Sequence, residues 1–261
     1  MPKAGNAQTA IFLTGKIQGE PRLSTPFSVF IEGNYAYMTS VGSNAFEVID
    51  ITDKSKPVHV GGLVSGEGGA VLSSPRTVFV SNGLAYVISA FNAFEIIDVS
   101  TPSSPVPKGK IKHGEGGAIL SNPNSVFVSG NYAFIASVDG NALEIIDVTN
   151  PAAPTHKGSL TDGTGGAKLT RPMNVLVSGN HAYVASFGSD ALEIVDITNL
   201  AAPFHKGSLV HGAGGALLKE PVALCKSGNW VYVVTQSSRA LEVVDVTDPA
   251  NPVHAGHLQD G

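Results

Sequence analysis

One stretch recurs five times and constrains everything else. Ala142 to Pro154 reads ALEIIDVTNPAAP, and its counterparts begin at Ala45 (AFEVIDITDKSKP), Ala93 (AFEIIDVSTPSSP), Ala191 (ALEIVDITNLAAP) and Ala240 (ALEVVDVTDPANP). Prolines 26, 75, 123, 172 and 221 mark the same point in successive copies, at intervals of 49, 48, 49 and 49 residues. A fixed period of this size implies a solenoid, a propeller or a linear array.

The interior of one repeat decides among them. After the marker proline comes an apolar run, Ser125 to Ser129, closed by Gly130-Asn131. Gly/Asn pairs at 33–34, 179–180 and 228–229, reversed at Asn82-Gly83, occupy the same place. Such pairs tolerate positive φ and suit a two-residue hairpin loop. Tyr132 to Ser137 forms the second expected strand, Leu143 to Val148 the third, and Thr155 to Leu160 the fourth. A glycine loop, Asp162 to Gly166, leads to the next marker proline. No segment has helical periodicity, and the Val, Ile, Tyr and Phe content favours strands. Four antiparallel strands per repeat is the unit of a propeller blade; β-solenoid coils are shorter. The expected class is therefore all-β, a β-propeller of four-stranded antiparallel blades, five in number. Residues 1–10 read as a flexible terminus and 11–261 as one domain, with repeats at about 24–72, 73–120, 121–169, 170–218 and 219–261. An extra fourth-type strand is expected at 11–17.

Composition narrows the function. The formal charge of −5 argues against a nucleic-acid footprint or a basic membrane-binding face. No apolar run approaches the ~18–20 residues that span a bilayer, so no membrane insertion is expected. The N-terminus lacks the long apolar segment of a signal peptide. The single Cys225 excludes an internal disulfide and is expected to be a buried, inert thiol.

The Leu143-Glu144-Ile145-Ile146-Asp147-Val148 strand and its four counterparts resemble the LVIVD repeat, within a layout similar to NHL-type propellers. The resemblance covers residues ~24–261 and is specific for architecture. It implies a secreted or cell-surface protein; a complete chain without a leader would be cytoplasmic. Lys54 and Leu200 depart from the pattern at the first turn proline, and Ala223-Leu224-Cys225-Lys226 departs in the last inner strand.

The repeated polar residues invite catalytic readings. Asp50, Asp98, Asp147, Asp196 and Asp245 each precede a proline-closed turn, where a carboxylate caps turn N–H groups. Catalysis would need carboxylates close together, and equivalent positions are spread around a ring. Glu47, Glu95, Glu144, Glu193 and Glu242 lie mid-strand and are expected to pair with fourth-strand residues such as Lys108, His156, Lys157, His205 and Lys206. One histidine per blade does not assemble a zinc site, and no HExxH pair is present, so neither metal nor cofactor is expected. The glycine loops lack the following helix and Gly-Lys-Ser/Thr of a phosphate cradle and read as blade crossings.

The residues that vary between repeats are the recognition candidates. Phe27, Arg76, Asn124 and Met173 lead into the inner strands, and Asn44, Phe91, Asn92, Asp139, Asn141, Phe187, Asp190 and Arg239 lie in the second-to-third-strand loops. Loops on a rigid scaffold commonly carry binding. The expected function is non-enzymatic binding of a protein or glycan through this face. A lyase or hydrolase site at the channel mouth is the alternative, as is a structural repeat of a larger surface protein. The expected form is a monomeric, closed five-bladed ring, with assembly between chains if the ring is incomplete. The ending Gln259-Asp260-Gly261 reads as a truncation, because other repeats continue there.

Overall fold

A computed structural model describes residues 21–260. The expected loose terminus and the strand at 11–17 lie outside them. The first blade comprises β1 (Pro26–Glu32), β2 (Tyr35–Ser40), β3 (Ala45–Asp50) and β4 (Val58–Val64). The second comprises β5 (Pro75–Ser81), β6 (Leu84–Ser89), β7 (Ala93–Asp98) and β8 (Val106–Lys112). The third has β9 (Pro123–Ser129), β10 (Tyr132–Ser137), β11 (Ala142–Asp147) and β12 (Thr155–Thr161). The fourth has β13 (Pro172–Ser178), β14 (His181–Ser186), β15 (Ala191–Asp196) and β16 (Phe204–Val210). The fifth has β17 (Pro221–Ser227), β18 (Trp230–Thr235), β19 (Ala240–Asp245) and β20 (Val253–Gln259). Each blade is a separate antiparallel sheet in sequence order. The first strands of neighbouring blades lie against one another, which makes them the inner strands.

Two register shifts recur. One follows the marker proline, and the other lies between the third and fourth strands, where Lys157 is the extra residue between Gly158 and His156. Between blades, each connector makes a short 3-10 turn such as Glu67–Gly69, framed by Gly66 at φ 95° and Gly69 at φ 87°. Only glycine enters that backbone region freely. The turn packs on the outer strand of the following blade.

Four apolar clusters hold the blades together, one per junction. Between blades one and two, Tyr37, Phe46 and Val48 face Val78, Val80 and Val87. Equivalent sets join blades two and three, three and four, and four and five. Phe30, Phe79 and Phe127 form an inner column, with ring centroids 4.9 and 5.3 Å apart.

Among the described residues the expected ring closure is not made. Val29 is 48% exposed, whereas its counterparts Val78, Val126 and Val175 are 3–4% exposed. At the other end Leu258 is 74% exposed, and its counterparts Leu63, Ile111, Leu160 and Leu209 are 3–7% exposed. Leu241 and Val234 are exposed as well. Among the described residues the five blades form an arc: the last blade leaves an apolar sheet face exposed, and the first exposes Val29 and Ile31 of its inner strand while Ala36 and Ile49 on the same face are buried. Cys225 lies on one of these faces and is exposed, contrary to the expectation of a buried thiol. Its counterparts Phe30, Phe79 and Phe127 are covered by a following blade; Cys225 has none.

Candidate functional site

The residue before each marker proline and the second-to-third-strand loop meet at one end of every blade. Val41 N–H donates to Thr25 O at 3.0 Å, Ala90 N–H to Ser74 O at 3.1 Å, and Val138 N–H to Asn122 O at 3.3 Å. The pre-proline residues Thr25, Ser74, Asn122, Arg171 and Glu220 all have φ between 48° and 56°. From Ser74 onward, side chains of the preceding blade hold this uncommon conformation in place. Ser74 N–H donates to Asn44 Oδ1 (2.7 Å), Asn122 N–H to Asn92 Oδ1 (2.8 Å), Arg171 N–H to Asn141 Oδ1 (2.8 Å) and Glu220 N–H to Asp190 Oδ1 (2.8 Å). Four of the sequence-derived recognition candidates therefore latch one blade to the next. Arg239 occupies the fifth such position and has no acceptor to offer; it lies 3.9 Å from Asp260.

Four other candidates come together with one of these latches. Phe27, Arg76, Phe91 and Asp139 join Asn92 in lining one pocket of about 640 Å³, with Thr25, Val41, Ser74, Ala90, Ser121 and Asn122. It spans the first three blades at the ends of their inner strands. Arg76 is half-buried and donates from Nη1 to Asn124 Oδ1 at 3.0 Å, and Asn124 Nδ2 donates to Met173 O at 2.8 Å. Burial pushes the Arg76 guanidinium below its ordinary value, and the charge of Asp139 opposes that shift. Phe27 and Phe91 are exposed around it. Phe187 lies outside the pocket and is half-buried, with the Arg171 guanidinium 5.0 Å from its ring centroid. The sequence reading missed the pre-proline lining residues Thr25, Ser74 and Asn122, although their shared place beside the marker proline is visible in the repeat.

The repeated acids sit elsewhere. Each strand-ending aspartate accepts the N–H two residues on, as in Asp50 from Thr52 at 2.7 Å and Asp147 from Thr149 at 2.9 Å. Those hydrogen bonds hold both carboxyls below the usual range. Asp98 also takes Lys108 Nζ at 2.7 Å and falls to about 2. The mid-strand glutamates are buried and clasp the connector ahead of their blade. Val71 N–H donates to Glu95 at 2.9 Å, Ile119 N–H to Glu144 at 3.1 Å, Lys168 N–H to Glu193 at 3.0 Å and Leu217 N–H to Glu242 at 3.0 Å. In Glu144, Glu193 and Glu242 the second oxygen faces histidine, at 2.6 Å for His156 and His205 and 2.5 Å for His254; beside Glu95 that place belongs to Pro107. His59 lies 2.5 Å from Glu47. The expected histidine pairs form. The lysines do not join them: Lys108 and Lys206 turn to Asp98 and Asp196. The bulge before the bonded glycine moves histidine onto the glutamate face and lysine off it. Burial raises Glu144 to about 7, while the His156 and Ile119 hydrogen bonds pull it down.

In the fifth blade His257 joins Glu242 and His254, with one ligand atom of each within 4.8 Å of the others. Both Glu242 oxygens are already engaged, by Leu217 N–H and by His254 Nδ1. A metal ion there would have to displace a contact that the other blades keep. Among the described residues no helix is long and apolar enough to cross a membrane.

Fold and loop face together define a repeat propeller with a pocket at one end of its inner strands. The LVIVD repeat matches residues 27–63, 74–112, 122–162, 171–210 and 223–260, and the chain belongs to that family. The sequence matches no curated protein. Solved structures similar in fold include the computationally designed Ika8 protein, at 11% identity and TM-score 0.68 over 94% of this chain. Another is a protein of unknown function from Desulfotomaculum acetoxidans, at 16% identity and TM-score 0.70 over 91% of the chain. A third, from Bacteroides fragilis and proposed to be a 6-phosphogluconolactonase, has 10% identity and TM-score 0.72 over 93% of the chain. The chain spans 64% of the first of these, 71% of the second and 73% of the third. At such identities the likeness is one of fold.

Proposed function

We propose that this chain is a binding scaffold whose loop face takes a carbohydrate bearing a carboxylate. The observation that carries the reading is Arg76, half-buried in a pocket that two exposed aromatic rings, Phe27 and Phe91, also line. A guanidinium matches a carboxylate in shape and charge, and the low dielectric of a partly buried site strengthens the pair. Aromatic faces suit the apolar face of a sugar ring. The amides of Asn92 and Asn122 lie in reach of hydroxyl groups around the rim. One arginine and one aspartate among the lining residues offer binding chemistry rather than a nucleophile with its base.

A glycan array comprising neutral and uronate-containing oligosaccharides tests the reading. Selective binding of the acidic members is expected. Losing a charged hydrogen bond of about 1.5–3 kcal/mol predicts that Arg76→Ala weakens that binding roughly ten- to hundred-fold. Binding that ignores the carboxylate, or survives Arg76→Ala unchanged, refutes it. Binding of acidic peptides in place of glycans would reassign the ligand.

A further inference from the structure

The bare ends of the arc are shaped for each other. Every fourth strand holds one glycine that receives the third-to-fourth-strand turn of the next blade. A Cβ added at Gly61 would sit 2.4 Å from Pro102 O, at Gly109 2.1 Å from Pro151 O, at Gly158 2.4 Å from Leu200 O and at Gly207 2.5 Å from Pro249 O. No side chain fits at those four places. Gly256 is the fifth member of the series, and among the described residues nothing lies within 4 Å of the place of its Cβ. The strand keeps the seat, and no turn fills it. Around it the exposed Leu258 and Leu241 repeat positions that are buried in every earlier blade.

The first blade offers the matching part. Its turn from Asp50 to Pro57 has the same length as the turn from Asp147 to Pro154 that fills the seat at Gly109. Lys54, at the place of Pro102, Pro151, Leu200 and Pro249, is exposed while those four are half-buried. At the inner strand of the same blade Val29 and Ile31 stand exposed on the face that other blades press against their predecessor. Apolar patches of this kind mark interaction sites.

We infer that the fifth blade of one copy docks on the first blade of a second copy, with the Lys54 turn seated on Gly256 at the outer strand and the fifth blade's inner strand packed toward Val29. The occupant is a second copy because this chain carries both halves of a junction that it already makes four times internally. The contact is heterologous, so each added copy presents a fresh end. Five blades already span 64–74% of the similar solved proteins, so a second arc overfills a circuit of that size and growth stays open-ended. The junction between copies is weaker than those within a chain. Arg239 replaces the acceptor that latches the next blade, and the connector of a covalent crossing is absent.

Sedimentation velocity over a wide concentration range, with reductant present, tests this. Association that rises with concentration is expected. Gly256→Val blocks one end without a clash inside the chain, and Val29→Glu blocks the other. Each variant alone is expected to weaken association at least tenfold and to keep its far-UV circular dichroism and its melting profile. An equimolar mixture of the two is expected to form one-to-one dimers that grow no further, because each variant retains the end that the other lacks. Wild-type protein that stays monomeric overturns the inference and leaves the faces to blades of another polypeptide. Association unchanged by Gly256→Val, or a mixture that forms no dimer, overturns it equally.

Discussion

Replacing Gly158 by alanine probes the seating of one blade on the next. The new Cβ would lie 2.4 Å from Leu200 O, 2.9 Å from Ala201 C and 3.0 Å from Ala201 Cα. All three are backbone atoms of a proline-bounded turn, so no side chain can rotate away. Relief requires the junction to open by about 1 Å, and gaps of that size forfeit roughly a quarter to a half of each affected dispersion contact. Leu143, Ile145 and Leu160 would then part from Val175 and Val184. Overpacking of this kind typically costs about 1–3 kcal/mol. Alanine regains about 0.5–1 kcal/mol over glycine in a strand through lost chain entropy. The expected net loss is about 1–2 kcal/mol, read as a lower urea midpoint with an unchanged slope. Gly256→Ala, measured at a concentration where the protein is monomeric, is the control. Nothing lies near that Cβ, so only the entropic gain remains, and the midpoint should hold or rise. A Gly158→Ala protein as stable as wild type, or equal losses at 158 and 256, would refute the argument.

Other perturbations follow from the same geometry. Glu144 has its folded pKa raised to about 7 from 4.5. The folded state therefore holds more protons than the unfolded state between those values, and this group makes stability fall as pH rises from about 4.5 to 7. Glu144→Gln mimics the protonated form, so it should match wild type at pH 4.5 and exceed it by up to about 3 kcal/mol at pH 8, measured by urea titration at both pH values. The aspartate caps act in the opposite sense: with folded pKa values lowered, their contribution is present above the ordinary carboxylate range and lost as pH falls through it, and Asp147→Ala should cost about 0.5–1.5 kcal/mol at neutral pH. Asn92→Ala strands the Asn122 N–H of a positive-φ residue and should lower stability by about 1–3 kcal/mol, with faster amide exchange at Asn122.

Local features were the legible ones. Asp50 and Thr52 are two residues apart, so the cap follows from spacing alone, as does the Gly-Asn hairpin. The glutamate partner was half legible. Simple alternation puts histidine and lysine of the fourth strand on an equal footing; the bulge at Lys157, which hands Glu144 to His156, has no signature beyond the following glycine. The latching role of Asn44 and Asn92 was hidden because it crosses between blades to a pre-proline N–H, about 30 residues away in sequence. Variation from Asn to Asp190 looked like ligand specificity, yet both residues supply the same acceptor. Closure was least legible. Repeats report what a junction looks like, whereas the angle between blades, set by packing depth at Phe46 or Leu143, decides how many complete a circle. Ala223, Cys225, Lys226, Trp230 and Arg239 are the sequence marks by which the last blade differs.

The clasp between each buried glutamate and the connector ahead of it bears on synthesis. Ile119 cannot find Glu144 until about 25 more residues have left the ribosome. Each finished blade therefore waits, one face bare, for its successor; at ~5–20 residues per second a repeat of 49 residues takes about 2–10 s to emerge. Blade-by-blade assembly from the N-terminus is the order this geometry favours. During translation the hazard to a waiting face is a blade of a neighbouring nascent chain that presents the turn and inner strand its own successor would bring.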